Sequence, residues 1–90
     1  MKVVILSIFC FSLTSLSIAL GGPKCTSEPK EKWRDQTSFQ KSLTDQGYKI
    51  KKFKVTDGNC YEIYGWNKAG ERVEIYFHPV TGAIVKEEKS

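Results

Sequence analysis

The stretch CYEIYGWNKAGERVEIYFH, residues 60–78, decides the fold. In its second half Val73, Ile75 and Phe77 alternate with polar or charged residues, a period of two that is typical of a β-strand. Its first half has the same length and the same β-rich composition, with aromatic residues on both faces. The connection NKAG between the halves is short and ends in glycine. The stretch therefore predicts two strands joined by a tight turn, and so an antiparallel pair.

Toward the C-terminus, the sequence predicts a second reversal and a last strand. Pro79 cannot donate to a sheet ladder, and Thr81 and Gly82 supply the hydroxyl and the unrestricted backbone that a tight turn needs. The residues AIVKE that follow are typical of a short strand. We therefore expect Pro79, Thr81 and Gly82 to have a structural role. His78, at the end of its strand, is expected to lie beside this turn.

Toward the N-terminus, the residues YKIKKFKV (48–55) predict another strand. The alternation slips at Lys51 and Lys52, which indicates a β-bulge. DGN at 57–59 is a turn signal. The lysines of this strand are consistent with a nucleic-acid contact, but in a chain of net charge +4 they are better explained as an edge that resists pairing with other sheets.

A helical segment precedes this strand, in residues 27–47. Ser27 is a candidate N-cap before Pro29. Thr37 offers a second start of the capping-box kind, so a break is expected near residues 35–37. Phe39 and Leu43 lie four apart and define an apolar face.

These elements predict an α+β fold with an N-terminal helical segment packed on one face of an antiparallel sheet of three or four strands. The expected core combines Phe39 and Leu43 with Val73, Ile75 and Phe77, and Trp33 lies at its edge. The other sheet face should be rich in aromatic residues. Such a face is either a partner-binding surface or a set of cross-strand pairs that stabilise the sheet. The candidate partner-binding residues are Tyr61, Tyr64, Trp66 and Tyr76.

The first residues differ from the rest of the chain. A positive start is followed by an uncharged apolar run that ends in small residues, which is typical of a secretory signal peptide. We predict a signal peptide over residues 1–21, cleaved after Gly21 or after Ala19, and a single domain over residues 22–90. The alternative is a membrane anchor, but the run contains many Ser and Thr residues. Export places the domain in the periplasm or outside the cell.

The cysteines support the same compartment. Cys10 leaves with the signal peptide, and Cys25 and Cys60 remain. In an exported chain, two cysteines most simply form one disulfide. A zinc site is disfavoured because the chain has no C-x-x-C motif and one histidine.

No catalytic residue is indicated. His78 lacks a neighbouring nucleophile or orienting carboxylate in the sequence pattern, and no cofactor is expected. The set Glu62, Glu74 and His78 is the one group that adjacent strands could bring together to hold a small ligand or a metal.

The run GYKIKKFKVTDGNCYEIYGWNKAGERVEIYFHPVTGAIVKEE resembles the PepSY domain, a module of thermolysin-like metallopeptidase propeptides and of many small exported bacterial proteins. Gly47 and Tyr48 after a helix carry the resemblance, together with Cys60, Tyr61 and Glu62 at the second strand. Gly70 before RVEIYF, the turn at 79–82 and the start PKEKW at 29–33 also match the pattern. The resemblance implies a fold and a binding role, and it carries over no catalytic residue.

We therefore expect a non-catalytic exported binding or regulatory module that restrains a peptidase or another exported hydrolase. Since no peptidase follows the domain, its partner would be a separate exported protein. We expect no nucleic-acid partner, and no stable membrane anchor after signal cleavage. The alternative is a periplasmic sensor module that binds a small ligand or a metal.

Overall fold

The computed structural model describes residues 22–90, so the predicted signal peptide lies outside the described residues. A short 3-10 turn precedes one helix and four strands. Their bounds are Lys30–Lys32 for the 3-10 turn, Gln36–Asp45 for α1, Lys49–Val55 for β1, Tyr61–Trp66 for β2, Arg72–Phe77 for β3 and Ile84–Lys89 for β4. Within these described residues, no helix has the length and apolar character to span a membrane.

The four strands form one antiparallel sheet in the order β1-β2-β3-β4. Each strand pairs with the next one along the chain, as short turns require. The register of β1 against β2 shifts between Ile50 and Lys52, which confirms the predicted bulge. Together with α1 on one face of the sheet, this arrangement confirms the predicted α+β class.

Helix α1 begins two residues earlier than the predicted cap indicates. Asp35, rather than Thr37, is the N-cap, and its side chain accepts a hydrogen bond from the Ser38 backbone N–H at 2.9 Å. A carboxylate at this position accepts a hydrogen bond from a backbone N–H that has no partner within the helix. Its negative charge is also stabilised by the positive end of the helix dipole. The cap predicted at Ser27 is also wrong, since the 3-10 turn follows Pro29 and has no side-chain cap.

The core lies between α1 and the sheet. Phe39 and Leu43 pack against Val73, Ile75 and Phe77, as the sequence predicted, and Trp33 packs at the edge. The sheet adds Tyr61 and Ile63, both buried. The Tyr61 hydroxyl donates to the carbonyl of Arg34, so one core side chain also fixes the chain between the 3-10 turn and α1.

The turn between β3 and β4 is held by two side chains that are distant in the sequence, Arg34 and His78. The Nδ1 atom of His78 accepts hydrogen bonds from the N–H groups of Val80 at 3.1 Å and Thr81 at 3.3 Å. The Arg34 guanidinium donates to the carbonyls of Val80 and Thr81, at 2.9 and 2.7 Å. Gly82 has a φ of +81°. His78 therefore acts within its turn, with Nδ1 already engaged.

Candidate binding face of the sheet

The side chains that alternate with the core residues lie on the sheet face opposite α1, which we call the open face. The strand register arranges these side chains in three cross-strand rows. The Glu62 row consists of Lys54, Glu62, Tyr76 and Lys86; the Tyr64 row of Lys52, Tyr64, Glu74 and Glu88; and the Trp66 row of Lys49, Trp66 and Arg72. The open face therefore combines aromatic residues with charges of both signs.

The N-terminal segment, residues 22–26, crosses one end of the open face. Cys25 and Cys60 form a disulfide, which confirms the predicted pair, and the Cys25 N–H donates to the Gly58 carbonyl at 2.8 Å. Gly22 lies against the ring of Tyr76 so closely that an added Cβ would come within 2.8 Å of the ring. The segment therefore covers Tyr76, which is 9% exposed.

Beside this segment lies a buried carboxyl group. Glu62 is 1% exposed, although it belongs to a residue type that is almost never buried without a partner. Its Oε1 atom lies 3.9 Å from the Nζ atom of Lys54. Its Oε2 atom has no hydrogen-bond donor among residues 22–90. A buried oxygen in this state costs free energy, so its protonation state matters.

Glu62 and Glu74 share this environment and their pKa values move apart. Burial, and then the neighbouring Glu74 carboxyl group, raise the pKa of Glu62. The neighbouring Glu62 carboxyl group lowers the pKa of Glu74, which accepts a hydrogen bond from the Tyr76 hydroxyl at 2.9 Å. As the pH rises, Glu74 therefore loses its proton before Glu62 does.

The neighbouring tyrosines remain neutral donors. The hydrogen bond to Glu62, followed by burial, raises the pKa of Tyr64 to about 12. Burial, followed by the hydrogen bond to Glu74, raises the pKa of Tyr76 as well. The Tyr76 hydroxyl donates to Glu74, and neither tyrosine serves as a base at neutral pH.

The sequence had grouped Glu62, Glu74 and His78 as possible ligands. The structure brings Glu62 and Glu74 together, but the Nδ1 atom of His78 is taken up by its own turn. Among residues 22–90, no group of three or more His, Cys, Asp or Glu side chains is placed to hold a metal ion. Nothing in the alternation of β2 showed that Glu62 would be buried, because glutamate is a residue type that is mostly exposed.

The four aromatic candidates separate into two pairs. Tyr61 lies in the core and is 1% exposed, and Tyr76 lies beneath Gly22. Neither offers a free surface, because the helix covers one and the N-terminal segment covers the other. Tyr64 and Trp66 are half-buried on the open face, and the ammonium group of Lys52 lies 6.0 Å from the Tyr64 ring centroid.

Tyr64 and Trp66 border a depression of about 270 Å³, which we call the Trp66 depression. Its other charged or polar lining residues are Lys51, Arg72, Glu74 and Ser90. The two aromatic side chains provide apolar contact area, and two basic side chains, Lys51 and Arg72, lie at the rim with one acidic side chain, Glu74. Such a surface suits recognition of another protein, because tyrosine, tryptophan and arginine are enriched where binding energy is concentrated.

Comparison with known proteins gives one match. Residues 3–88 match the family described as peptidase propeptide and YPEB domain. No curated protein matches the chain, and no solved structure does. Domains of this family are generally propeptide or regulatory modules rather than catalytic ones, and they are typically exported, which fits the Cys25–Cys60 disulfide. Because the match extends over nearly the whole chain, the protein belongs to the PepSY family of peptidase propeptide and YPEB domains.

Proposed function

We propose that the protein is an exported, non-catalytic binding module that restrains a separate peptidase or another exported hydrolase through the open face of its sheet. The observation that carries the proposal is the Trp66 depression, where Tyr64 and Trp66 keep part of their surface free while Tyr76, the other aromatic residue of the open face, is covered. The family relationship supports a peptidase-related role.

The charge around the depression favours a partner with an acidic contact surface. Lys51 and Arg72 line the depression, Lys49 pairs with Trp66 across the strands, and Lys52 lies over the ring of Tyr64. Exposed cations of this kind steer association and set specificity more than they add affinity. The apolar contact with Trp66 should therefore supply most of the binding free energy.

The test is affinity capture from the periplasmic or secreted fraction, with the oxidised chain of residues 22–90 as bait. Parallel baits carry Trp66→Ala and Lys41→Ala. Lys41 is an exposed residue of α1, on the other side of the sheet, where its ion pair with Asp45 contributes little. The unmodified and Lys41→Ala baits should retain the same peptidase or hydrolase, whereas Trp66→Ala should not.

Two results would count against the proposal, provided that each bait unfolds cooperatively. One is retention of the hydrolase by the Trp66→Ala bait at the same level as by the unmodified bait. The other is recovery of no exported hydrolase by any bait. A captured hydrolase is then assayed with and without the domain, because restraint predicts a loss of its activity.

A further inference from the structure

Gly22 is held against a polar cluster of the open face. A methyl group on Gly22 would come within 2.8 Å of the Tyr76 Oη atom, so its Cα already contacts the hydroxyl end of that ring. The Tyr76 hydroxyl in turn donates to Glu74 at 2.9 Å. The Cys25–Cys60 disulfide fixes the segment three residues further along. The Gly22 backbone is therefore held at the Tyr76 hydroxyl, which is itself hydrogen-bonded to Glu74. Glu62 and Glu74 lie on neighbouring strands and provide the carboxyl groups of this part of the face.

One oxygen of the carboxyl pair formed by Glu62 and Glu74 lacks a hydrogen-bond donor. The Oε2 atom of Glu62 is buried without a hydrogen-bond donor among the described residues. The cation on the other oxygen, Lys54, is 3.9 Å away and its side chain is 48% exposed. A buried carboxyl oxygen of this kind is usually satisfied by a hydrogen bond.

We propose that the α-ammonium group created by cleavage between Gly21 and Gly22 binds the Glu62–Glu74 carboxyl pair, so that removal of the leader completes the folded domain. The inference rests on the predicted cleavage after Gly21 and is independent of the partner. An uncleaved chain presents one neutral amide N–H at this position. A free terminus presents three N–H donors and a positive charge, and charge-assisted hydrogen bonds are the stronger kind.

The pH dependence follows from the groups around this position. The charged or titratable side chains of the Glu62 and Tyr64 rows, over which this position lies, are Lys52 and Lys54 on β1, Glu62 and Tyr64 on β2, Glu74 and Tyr76 on β3, and Lys86 and Glu88 on β4. Carboxylates beside an ammonium group raise its pKa above the ordinary value of about 7.7–8.0. The stabilisation is therefore complete below about pH 7.7 and is lost as the pH rises through the raised pKa.

The experiment compares two oxidised chains of residues 22–90, one with a free Gly22 amine and one acetylated at Gly22. Urea unfolding at pH 6.5 gives the folding equilibrium constant of each. The free-amine chain should have a constant at least about tenfold larger, the effect of one hydrogen bond to a charged group. This ratio should fall toward one when Glu62 and Glu74 are both replaced by Gln. Glu88→Gln, an exposed change on the same face, should leave it intact.

A measurement on the unsubstituted chains covers the case in which the double variant does not fold. The side-chain carboxyl signal of Glu62, followed by NMR during a pH titration, should show a lower pKa in the free-amine chain than in the acetylated chain. Equal folding constants and equal Glu62 titrations in the two chains would overturn the proposal. So would a tenfold ratio that persists in the Glu62→Gln/Glu74→Gln variant.

The mass of the exported protein decides whether the natural chain has the Gly22 ammonium group that this interaction requires. An N-terminus at Gly22, with a mass two hydrogens below that of the reduced chain, is the expected result. An N-terminus at Leu20, the product of the other predicted cleavage, would overturn the natural role, because two residues would then separate the ammonium group from Gly22.

Discussion

Individual residues of the sheet have roles that their types alone do not indicate. Tyr61, a candidate contact residue, packs in the core and donates to the carbonyl of Arg34. Glu62, in a strand of large apolar neighbours, is buried and has a raised pKa, whereas the pKa of Glu74 is lowered. His78 accepts two backbone hydrogen bonds inside a turn. In each case the deciding contact comes from a residue outside the same strand or from the turn geometry.

The raised pKa of Glu62 gives a pH prediction for the chain acetylated at Gly22, where no terminal ammonium group is present. The folded chain binds this proton more tightly than the unfolded chain does, because burial disfavours the carboxylate. Its contribution to stability is therefore complete below the unfolded-chain pKa of about 4.3 and is lost as the pH rises through the raised folded-state pKa. Glu62→Gln should remove this loss, so that the acetylated variant is the more stable protein at pH 7.

Urea unfolding of the acetylated chain and its Glu62→Gln variant between pH 4 and pH 8 checks this prediction. Glu74 acts in the opposite direction, since its lowered pKa stabilises the fold above the unfolded-state value and this stability is lost on acidification. The Glu62→Gln variant should therefore still lose unfolding free energy as the pH falls toward 4. If Glu62→Gln is less stable than the acetylated parent at pH 7, the raised pKa of Glu62 is contradicted.

His78 gives a second prediction at this scale. Asparagine places its side-chain oxygen at the same distance along the side chain as Nδ1 of histidine, so His78→Asn should keep an acceptor for the N–H groups of Val80 and Thr81. His78→Ala removes the acceptor and should cost about 1 kcal/mol of unfolding free energy. Denaturant unfolding of the three proteins decides it, and equal losses in the two variants would show that the acceptor is unimportant.

At the scale of elements, the sequence predicted β2 and β3 well, because their alternation and the turns around them fix both ends. The bulge in β1 was also visible, as a slip between Ile50 and Lys52. The face of β2 that packs on α1 was not predictable, since both of its faces carry aromatic residues. The cap at Asp35 was missed because Thr37 satisfies the same sequence rule, and the Tyr61 hydroxyl that holds the neighbouring Arg34 carbonyl is distant in the sequence.

Two glycines in turns allow backbone strain to be separated from contact. Gly82 and Gly70 have φ values of +81° and +82°, where an L-residue costs about 1–2 kcal/mol. An added Cβ at Gly82 would lie 3.2 Å from Cζ of Arg34, whereas at Gly70 it would meet nothing within 4 Å. Gly82→Ala should therefore lose more unfolding free energy than Gly70→Ala. Equal losses in thermal or urea unfolding would mean that the Arg34 contact adds nothing.

At the scale of the whole molecule, the disulfide joins the N-terminal segment to the sheet and thereby covers the end of the open face. The sequence predicted the Cys25–Cys60 pair from export and cysteine count, and it predicted the α+β class from strand and helix periods. The burial of Tyr76 was beyond it, because Tyr76 is covered by a segment that is held there through a bond between residues 35 positions apart.

Loss of the disulfide gives the prediction at this scale. Replacing Cys25 and Cys60 together by Ser should lower the unfolding free energy by about 2–4 kcal/mol, since a closed loop of this length restricts the unfolded chain. It should also release Gly22 from Tyr76, so that the difference between the free-amine and acetylated chains becomes small. Urea unfolding of both forms tests the two effects, and an undiminished difference would show that the disulfide does not position the terminus.

The most direct test of the account is the dissociation constant between the captured hydrolase and the domain. Titration calorimetry with the unmodified chain, Trp66→Ala and Lys41→Ala compares the open face with the helix side of the same fold. If the open face is the binding surface, Trp66→Ala weakens binding by about tenfold or more, as loss of a central aromatic contact does, and Lys41→Ala binds like the unmodified chain. Equal affinities for the unmodified and Trp66→Ala chains would contradict the assignment of the open face as the binding surface.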